Sequence, residues 1–255
     1  MKNLFKISFL LSLILSLTSC QFSENLNINE DGSGTLSIDF DGSGVMQMMG
    51  AKLSEEKEHV KMDTIFNFKE FMDSKKDSIS KLPKDKQEAL KQLENYQMKM
   101  QMDTETLKMN FSMFVNFDNV NEITDAYNNY MKGYEIATKN SEALKDNKAM
   151  KSKNDETGTT SPTKTSYSYT SNSFSRKTEI LDKEAYTKSI DSLAGMEAFM
   201  GASKYKLNYH FAKKVKSVSD STALFSADRK TITLEKSYME YLNNPSLMDI
   251  TIEFE

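Results

Sequence analysis

Between Tyr96 and Phe117 the chain alternates apolar and polar residues with period two, turns, and alternates again on the way back. Tyr96, Met98, Met100 and Met102 are interleaved with Gln97, Lys99 and Gln101. Asp103-Thr104-Glu105 reverses the chain, and Leu107, Met109, Phe111, Met113, Val115 and Phe117 return. Successive side chains of a strand point to opposite faces, so the pattern describes an antiparallel pair with one dry face and one wet face. A helix would scatter the same apolar residues around its circumference. A dry sheet face obliges the rest of the chain to cover it.

The alternation recurs along the chain. Leu26 and Ile28 are flanked by Asn25, Asn27 and Asn29; Glu30-Asp31-Gly32-Ser33-Gly34 turns; Leu36, Ile38 and Phe40 alternate with Ser37 and Asp39. Further strands are expected at Lys61–Phe66, Tyr167–Phe174, Tyr205–Phe211 (followed by Val215, Val218 and Leu224), Thr231–Glu235 and Met248–Phe254. Between them lie helical stretches. Val45–Met49 forms a short one, Asn67–Leu82 carries Phe68, Phe71 and Met72, and Pro83 opens another with Ala89, Leu90 and Leu93 inward. Asp118 or Asn119 is placed to cap a helix bearing Val120, Ile123, Tyr127, Tyr130 and Met131, with Gly133 near its end. Asp182 caps a helix through Tyr186, Ile190, Leu193, Met196 and Met200 that stops near Gly201, and Ser237…Glu240 is a capping box. Hairpins outnumber strand–helix–strand alternations. The expected class is α+β, a mostly antiparallel sheet built from hairpins with helices packed on one face. Residues 138–165 are rich in Lys, Asn, Ser and Thr and nearly free of large apolar side chains, so they read as a flexible polar insertion. The N-terminal part 20–137 and the C-terminal part 166–255 are expected to form one composite domain.

Residues 1–19 stand apart. Lys2 and Lys6 precede an apolar run, Ile7–Leu17, broken only by Ser8, Ser12 and Ser16. This is the layout of a secretory signal peptide, and the run is shorter than the ~20 residues of a membrane-spanning helix. It ends in Leu17-Thr18-Ser19-Cys20, which resembles the bacterial lipobox. The resemblance implies diacylglyceryl transfer to the Cys20 thiol, cleavage between Ser19 and Cys20, and acylation of the new amino group; the alternative is an ordinary cleaved signal that happens to end in Cys. Cys20 is the chain's single cysteine. A leftover Cys in an exported protein is otherwise a reactive or intermolecularly paired thiol. Stable anchoring takes more than one acyl chain, which a triacylated Cys20 provides. The membrane is therefore one expected partner, through lipidated Cys20.

Charge argues against nucleic acid as a partner. Of the 33 basic residues, Lys2 and Lys6 leave with the leader while all 37 acidic ones stay, so the net charge moves from −4 to −6. Binding to phosphates relies on the opposite sign.

Several motifs invite chemistry and meet a simpler reading. Asn27-x-Asn29-x-Asp31-Gly32 and Ser37-x-Asp39-x-Asp41-Gly42 have the opening spacing of a calcium loop. The bidentate Glu that such a loop needs would stand where Ile38 and Met48 are, so turn chemistry accounts for both. Met98, Met100 and Met102, facing Met109 and Met113, offer soft thioethers for Cu(I). Interleaved with Phe111 and Val115 on an apolar face, they read instead as adaptable core filling. His59 sits in a charged run and His210 in a strand, neither with ligands at metal spacing. There is no Gly-x-Ser-x-Gly elbow and no Walker or dinucleotide glycine motif. No metal, no cofactor and no catalytic residue is expected, and the chain is read as a non-enzyme.

With the lipobox, Leu26–Thr35, and Tyr209-His210-Phe211 followed by Val215-Lys216-Ser217-Val218-Ser219, the chain resembles exported lipoproteins of Bacteroidetes. The strand, Asp-Gly turn and strand soon after the Cys are also similar to LppM-type lipoprotein domains. The resemblance implies an envelope location and a sheet-plus-helix fold, and it brings no catalytic residues with it. Gln21-Phe22-Ser23-Glu24 lacks an Asp directly after the Cys and lacks an acidic cluster. The expectation is therefore a lipoprotein of the bacterial outer membrane with its body facing the periplasm. It would act through an envelope protein partner or, alternatively, as a carrier of a lipid or other apolar ligand.

Overall fold

The computed structural model describes residues 21–47, 59–123, 125–140, 162–191 and 200–255. The first hairpin is β1 (Gln21–Ile28) with β2 (Gly34–Asp41). Then come β3 (Lys61–Asn67), α1 (Phe68–Ser74), α2 (Lys76–Ile79) and α3 (Lys84–Lys91). The hairpin legible at Tyr96–Phe117 is β4 (Gln97–Asp103) with β5 (Lys108–Phe117), paired along its whole length from Gln97 opposite Phe114 to Asp103 opposite Lys108. After α4 (Ala126–Asn140) the chain forms β6 (Thr163–Tyr169), β7 (Ser173–Ile180) and α5 (Lys183–Asp191). It closes with β8 (Lys204–Phe211), β9 (Val215–Val218), β10 (Leu224–Phe225), β11 (Thr231–Ser237), α6 (Tyr238–Asn243) and β12 (Ile250–Phe254).

These strands make two sheets, one of eight strands in the order β10-β11-β8-β1-β2-β5-β4-β3 and one of four in the order β6-β7-β12-β9. The α+β class expected from the hairpins is what the structure has. Nearly all pairings are antiparallel; β1 with β8 is parallel, from Gln21 opposite Lys204 to Ile28 opposite Phe211. Through that pair the larger sheet takes strands from both sides of the 141–161 segment, which lies outside the described residues.

One face of the larger sheet is dry. It presents Phe22, Leu26 and Ile28 from β1, Leu36 and Ile38 from β2, Met98 and Met100 from β4, Phe111 and Met113 from β5, and Leu207 and Phe211 from β8, all buried. Helices cover part of it. Tyr130 of α4 meets Phe22 edge-on at 6.1 Å, and Tyr241 of α6 stacks on Tyr205 at 4.5 Å. The smaller sheet covers the rest, with Phe174 of β7 against Tyr209 and Phe211 and Phe254 of β12 against Phe211. The methionines considered as copper ligands lie inside this core, paired across β4 and β5 as Met98 with Met113 and Met102 with Met109. Their flexible thioethers fill space between rigid rings.

Local differences from the sequence pattern have local causes. The helix expected over Asn67–Leu82 breaks at Lys75 (φ −114, ψ 14), leaving α1 and α2 as separate turns. Asn119 does cap a helix, but a 3-10 turn, Val120–Glu122. The chain then passes Asp125 at φ 52 before α4 begins. Gly133 does not end that helix. It is where α4 approaches the sheet, since a Cβ there would lie 2.8 Å from the Met113 sulfur and 2.9 Å from the Phe68 ring. Tyr167–Phe174 is a hairpin rather than one strand, with Thr170 N–H donating to the Ser173 carbonyl. Its first strand begins at Thr163, within the segment read as insertion, and residues 138–140 belong to α4. Ser237 accepts from the Glu240 amide as the capping box requires. Ala185 N–H donates to Asp182, but Leu193 and Met196 lie outside the described residues.

Candidate functional site: the polar face of the central sheet

The second face of the eight-stranded sheet carries the interleaved polar residues, and the pairing registers sort them into rows running across the strands. One row is Thr231, His210, Asn27, Thr35 and Asn116; the next is Thr233, Asn208, Asn25, Ser37, Phe114 and Gln97. Closer to the start of β1 come Glu235, Lys206, Ser23, Asp39, Ser112 and Lys99, then Ser237, Lys204, Gln21, Asp41, Asn110 and Gln101. Charge divides the face. The two rows far from Gln21 hold no Lys, Arg, Asp or Glu; the two near it hold both signs.

Hydrogen bonds tie the middle of this face together in one direction. Thr233 donates to the Asn208 carbonyl oxygen at 3.2 Å, and the Asn208 amide donates to Asn25 Oδ1 at 2.9 Å. The Asn25 amide donates to Ser37 Oγ at 3.3 Å and to Asp39 Oδ2 at 2.5 Å. Ser37 also donates to Asp39, at 2.9 Å, and Ser112 reaches the other Asp39 oxygen. A relay that ends on a carboxylate is polarised along its length, which fixes the orientation of each amide. Among the described residues, the side chains of Asn27, Thr35 and Asn116 make no hydrogen bond within the chain. Their donors and acceptors face solvent. Two hollows open on this face. One of about 390 Å³ is lined by Asn25, Asn27, Thr35, Ser37, Phe114, Asn116, Asn208, His210 and Thr231, together with Leu26, Leu36 and Val115 of the same strands. The lining of the other, about 350 Å³, includes Gln21, Ser23, Asp39, Asp41, Lys99, Gln101, Asn110 and Ser112 beside Phe40 and Phe111.

Directly behind the relay, on the dry side of the same strands, lies a cluster that the sequence reading passed over. Glu24 and Arg176 are both 0% exposed. Tyr167 donates to Glu24 Oε1 at 2.8 Å, and Tyr209 donates to the same oxygen. Tyr205 reaches Oε2 at 3.0 Å and Arg176 Nη2 reaches it at 3.4 Å. Nη1 donates to the Met248 carbonyl at 3.3 Å and Thr178 Oγ1 at 3.2 Å, with Asp249 3.9 Å away, while Nε makes no hydrogen bond among the described residues. Burial first, and the Glu24 charge second, push all three tyrosine hydroxyls well above their ordinary value. Burial opposes the Arg176 charge most strongly, but Glu24 together with the surrounding Tyr209, Tyr167 and Tyr205 outweighs it and holds the guanidinium well above its usual value. Fully enclosed, with every carboxylate oxygen occupied, the cluster has the character of a clamp between the two sheets. It locks the parallel β1–β8 pair at the level where Asn25 and Asn208 meet. A sequence signal was present: Glu24 takes an inward position in the series Phe22, Glu24, Leu26, Ile28, and Arg176 follows Phe174 in the same way.

The residues singled out by sequence fall as follows. Ser19 and Cys20 lie outside the described residues, but Gln21, the next residue, is already paired with Asp41 on one side and Lys204 on the other. The calcium-like segments are strand ends running into turns, with Ser37 and Asp39 within β2: Asp31 accepts from the Ser33 amide and hydroxyl, and Asp41 accepts from the Ser43 amide. Asn27 stands on the sheet face, away from the Asp31 turn. Among the described residues no group of three or more His, Cys, Asp or Glu is arranged to hold a metal ion. His59 is exposed, and His210 Nδ1 lies 2.9 Å from Thr231 Oγ1. No helix among the described residues is long and apolar enough to cross a membrane.

Neither a family model nor a curated protein matches the chain. The folded domain of LppM from Mycobacterium tuberculosis aligns with 92% of this chain over 87% of its own length, with 9% identity and a TM-score of 0.34. This is a loose likeness, and it carries neither a function nor a detailed topology across.

Proposed function

We propose that this chain is a lipid-anchored lipoprotein of the bacterial envelope, of the kind its lipobox resembles in Bacteroidetes. Acyl chains on Cys20 hold it to the outer membrane, and its body faces the periplasm. It acts by binding or scaffolding rather than by catalysis, and the polar face of the eight-stranded sheet is the working surface. The observation that carries this reading is the oriented relay from Thr233 to Asp39 beside the unengaged Asn27, Thr35 and Asn116. Amides held in place by one another offer a partner donors and acceptors whose ordering cost is already met. The alternative, a carrier holding a lipid between sheet and helices, would need room there. That space is filled by Met98, Met100, Phe111 and Met113, each at most 1% exposed.

A photo-crosslinking residue placed in living cells at Asn27 or Asn116 tests the surface, with Glu184 on exposed α5 as control. Adducts formed from the sheet face and absent from Glu184 are expected. Equal labelling from all three positions, or none from the sheet face, would remove this surface from the account.

A further inference from the structure

The division of charge on the polar face points to a ligand class. We infer that the outer half of this face, centred on Phe114, binds a neutral glycan of hexose or N-acetylhexosamine units; this rests on the binding reading above.

The hollow of about 390 Å³ contains no formal charge in its lining, in a chain of which 27% of residues are charged. It falls within the ~300–1,000 Å³ typical of ligand sites. Each candidate occupant meets this lining differently. An ionic ligand would lose hydration without finding a counter-charge. Nucleic acid adds the need for a basic track. An apolar ligand would cover Asn27, Thr35 and Asn116 and leave their polar groups without partners. An extended peptide finds its main-chain partners at a sheet edge, and the strands under this hollow, β8, β1, β2 and β5, are all internal.

A neutral sugar fits each term. Its adjacent hydroxyls donate and accept together, as an Asn side chain does. The face of a pyranose ring is a patch of C–H groups, which suits the half-buried ring of Phe114 between Ser37 and Gln97. Rows two residues apart on a strand lie ~7 Å apart and neighbouring strands ~4.8 Å apart. The Asn27, Thr35 and Asn116 side chains thus form a line across three strands, long enough for more than one sugar unit. The start of β1 sets where this lies: Asn27 is six residues beyond Gln21, or ~20 Å along the strand.

The test uses the full lipidated protein in lauryldimethylamine oxide micelles, which avoids sugar-based detergents. Maltohexaose, cellohexaose and N-acetylglucosamine trimer are titrated at up to millimolar concentration while side-chain amide NMR signals are followed. Binding of at least one is expected, with shifts concentrated at Asn27, Asn116 and Asn208. Phe114→Ala and Asn116→Ala should each weaken it about tenfold, whereas Lys183→Ala on the exposed helix α5 should not change it. Asn116 is exposed, so its variant should fold even if the Phe114 variant does not. No binding by any of the three sugars overturns the inference. So does binding that both variants leave unchanged. A failure here together with sheet-specific crosslinks in cells would leave the binding reading standing with another ligand; absent crosslinks would remove both.

Discussion

Glu24→Ala takes away, in one step, the acceptor for three tyrosine hydroxyls and the counter-charge of a fully buried arginine. Breaking a buried pair by removing one partner costs about 3–5 kcal/mol, because the remaining charge is left without compensation. Each tyrosine hydroxyl that stays buried without a partner adds ~1–3 kcal/mol. Asp249, 3.9 Å from Arg176, and water entering the vacated space offset part of this. The expected loss is therefore about 4 kcal/mol or more, a fall of roughly 8–16 °C in Tm for a chain of this size. Glu24→Gln should lie between wild type and Ala. Whichever way its amide turns, the NH₂ group meets donors, either Tyr167 and Tyr209 or Tyr205 and Arg176. The decisive comparison is a double-mutant cycle of Glu24→Leu and Arg176→Met, followed by circular dichroism in urea and on heating, since the chain has no Trp. Removing both charges together should cost less than the two single losses summed, by about 2 kcal/mol or more. Additive losses, or a Glu24→Ala cost below ~1 kcal/mol, would refute the clamp.

The same tyrosines make stability sensitive to alkali. Burial and the Glu24 charge raise Tyr167, Tyr205 and Tyr209, and burial pushes Tyr96 up to about 12. In each case the folded chain holds the proton more tightly than the unfolded one. Stability is thus intact below about pH 10, the unfolded value, and is lost as pH rises from there through the folded values. Urea midpoints measured from pH 8 to pH 12 should fall steeply above about pH 10; a flat profile would contradict the burial of these hydroxyls. Gly34→Ala should cost about 1–3 kcal/mol or more, because its Cβ would stand 1.9 Å from the Asn27 backbone oxygen and 2.9 Å from the Phe117 ring. Gly133→Ala should cost less: no backbone atom stands in the way, the flexible Met113 thioether at 2.8 Å can yield so that only the Phe68 ring at 2.9 Å must shift, and Ala gains ~1 kcal/mol over Gly within a helix. Chemical denaturation of the two variants side by side checks the order.

Period-two alternation made β1, β2, β4, β5, β8 and β12 legible, because a dry face leaves its mark on every second residue. Which strands become neighbours left no such mark. Nothing local to Gln21–Ile28 announces a parallel partner 180 residues later in the chain, and that pairing is what brings Asn25 beside Asn208. The β6–β7 turn escaped notice because Thr170-Ser171-Asn172 has neither the glycines of the β1–β2 turn nor the acidic residues of the β4–β5 turn. Asn119 was recognisable as a cap, while the left-handed Asp125 that delays α4 was not. Of the candidate surface, Asn25, Asn27, Ser37 and Asp39 were readable as wet-face residues. Their assembly into a relay depends on cross-strand registers that only the fold supplies. Glu24 and Arg176 were visible as charges in inward positions, a signal easily lost among aromatic neighbours.

Intact mass spectrometry of the protein from its native envelope tests the anchor most directly, paired with fractionation of Cys20→Ala. The account expects a mature chain beginning at Cys20 and carrying the mass of a diacylglyceryl group and an amide-linked acyl chain. It also expects a Cys20→Ala form that is no longer held by the membrane at mature size. An unacylated N-terminus at Cys20, or a Cys20→Ala protein of mature size still fixed to the membrane, would contradict it.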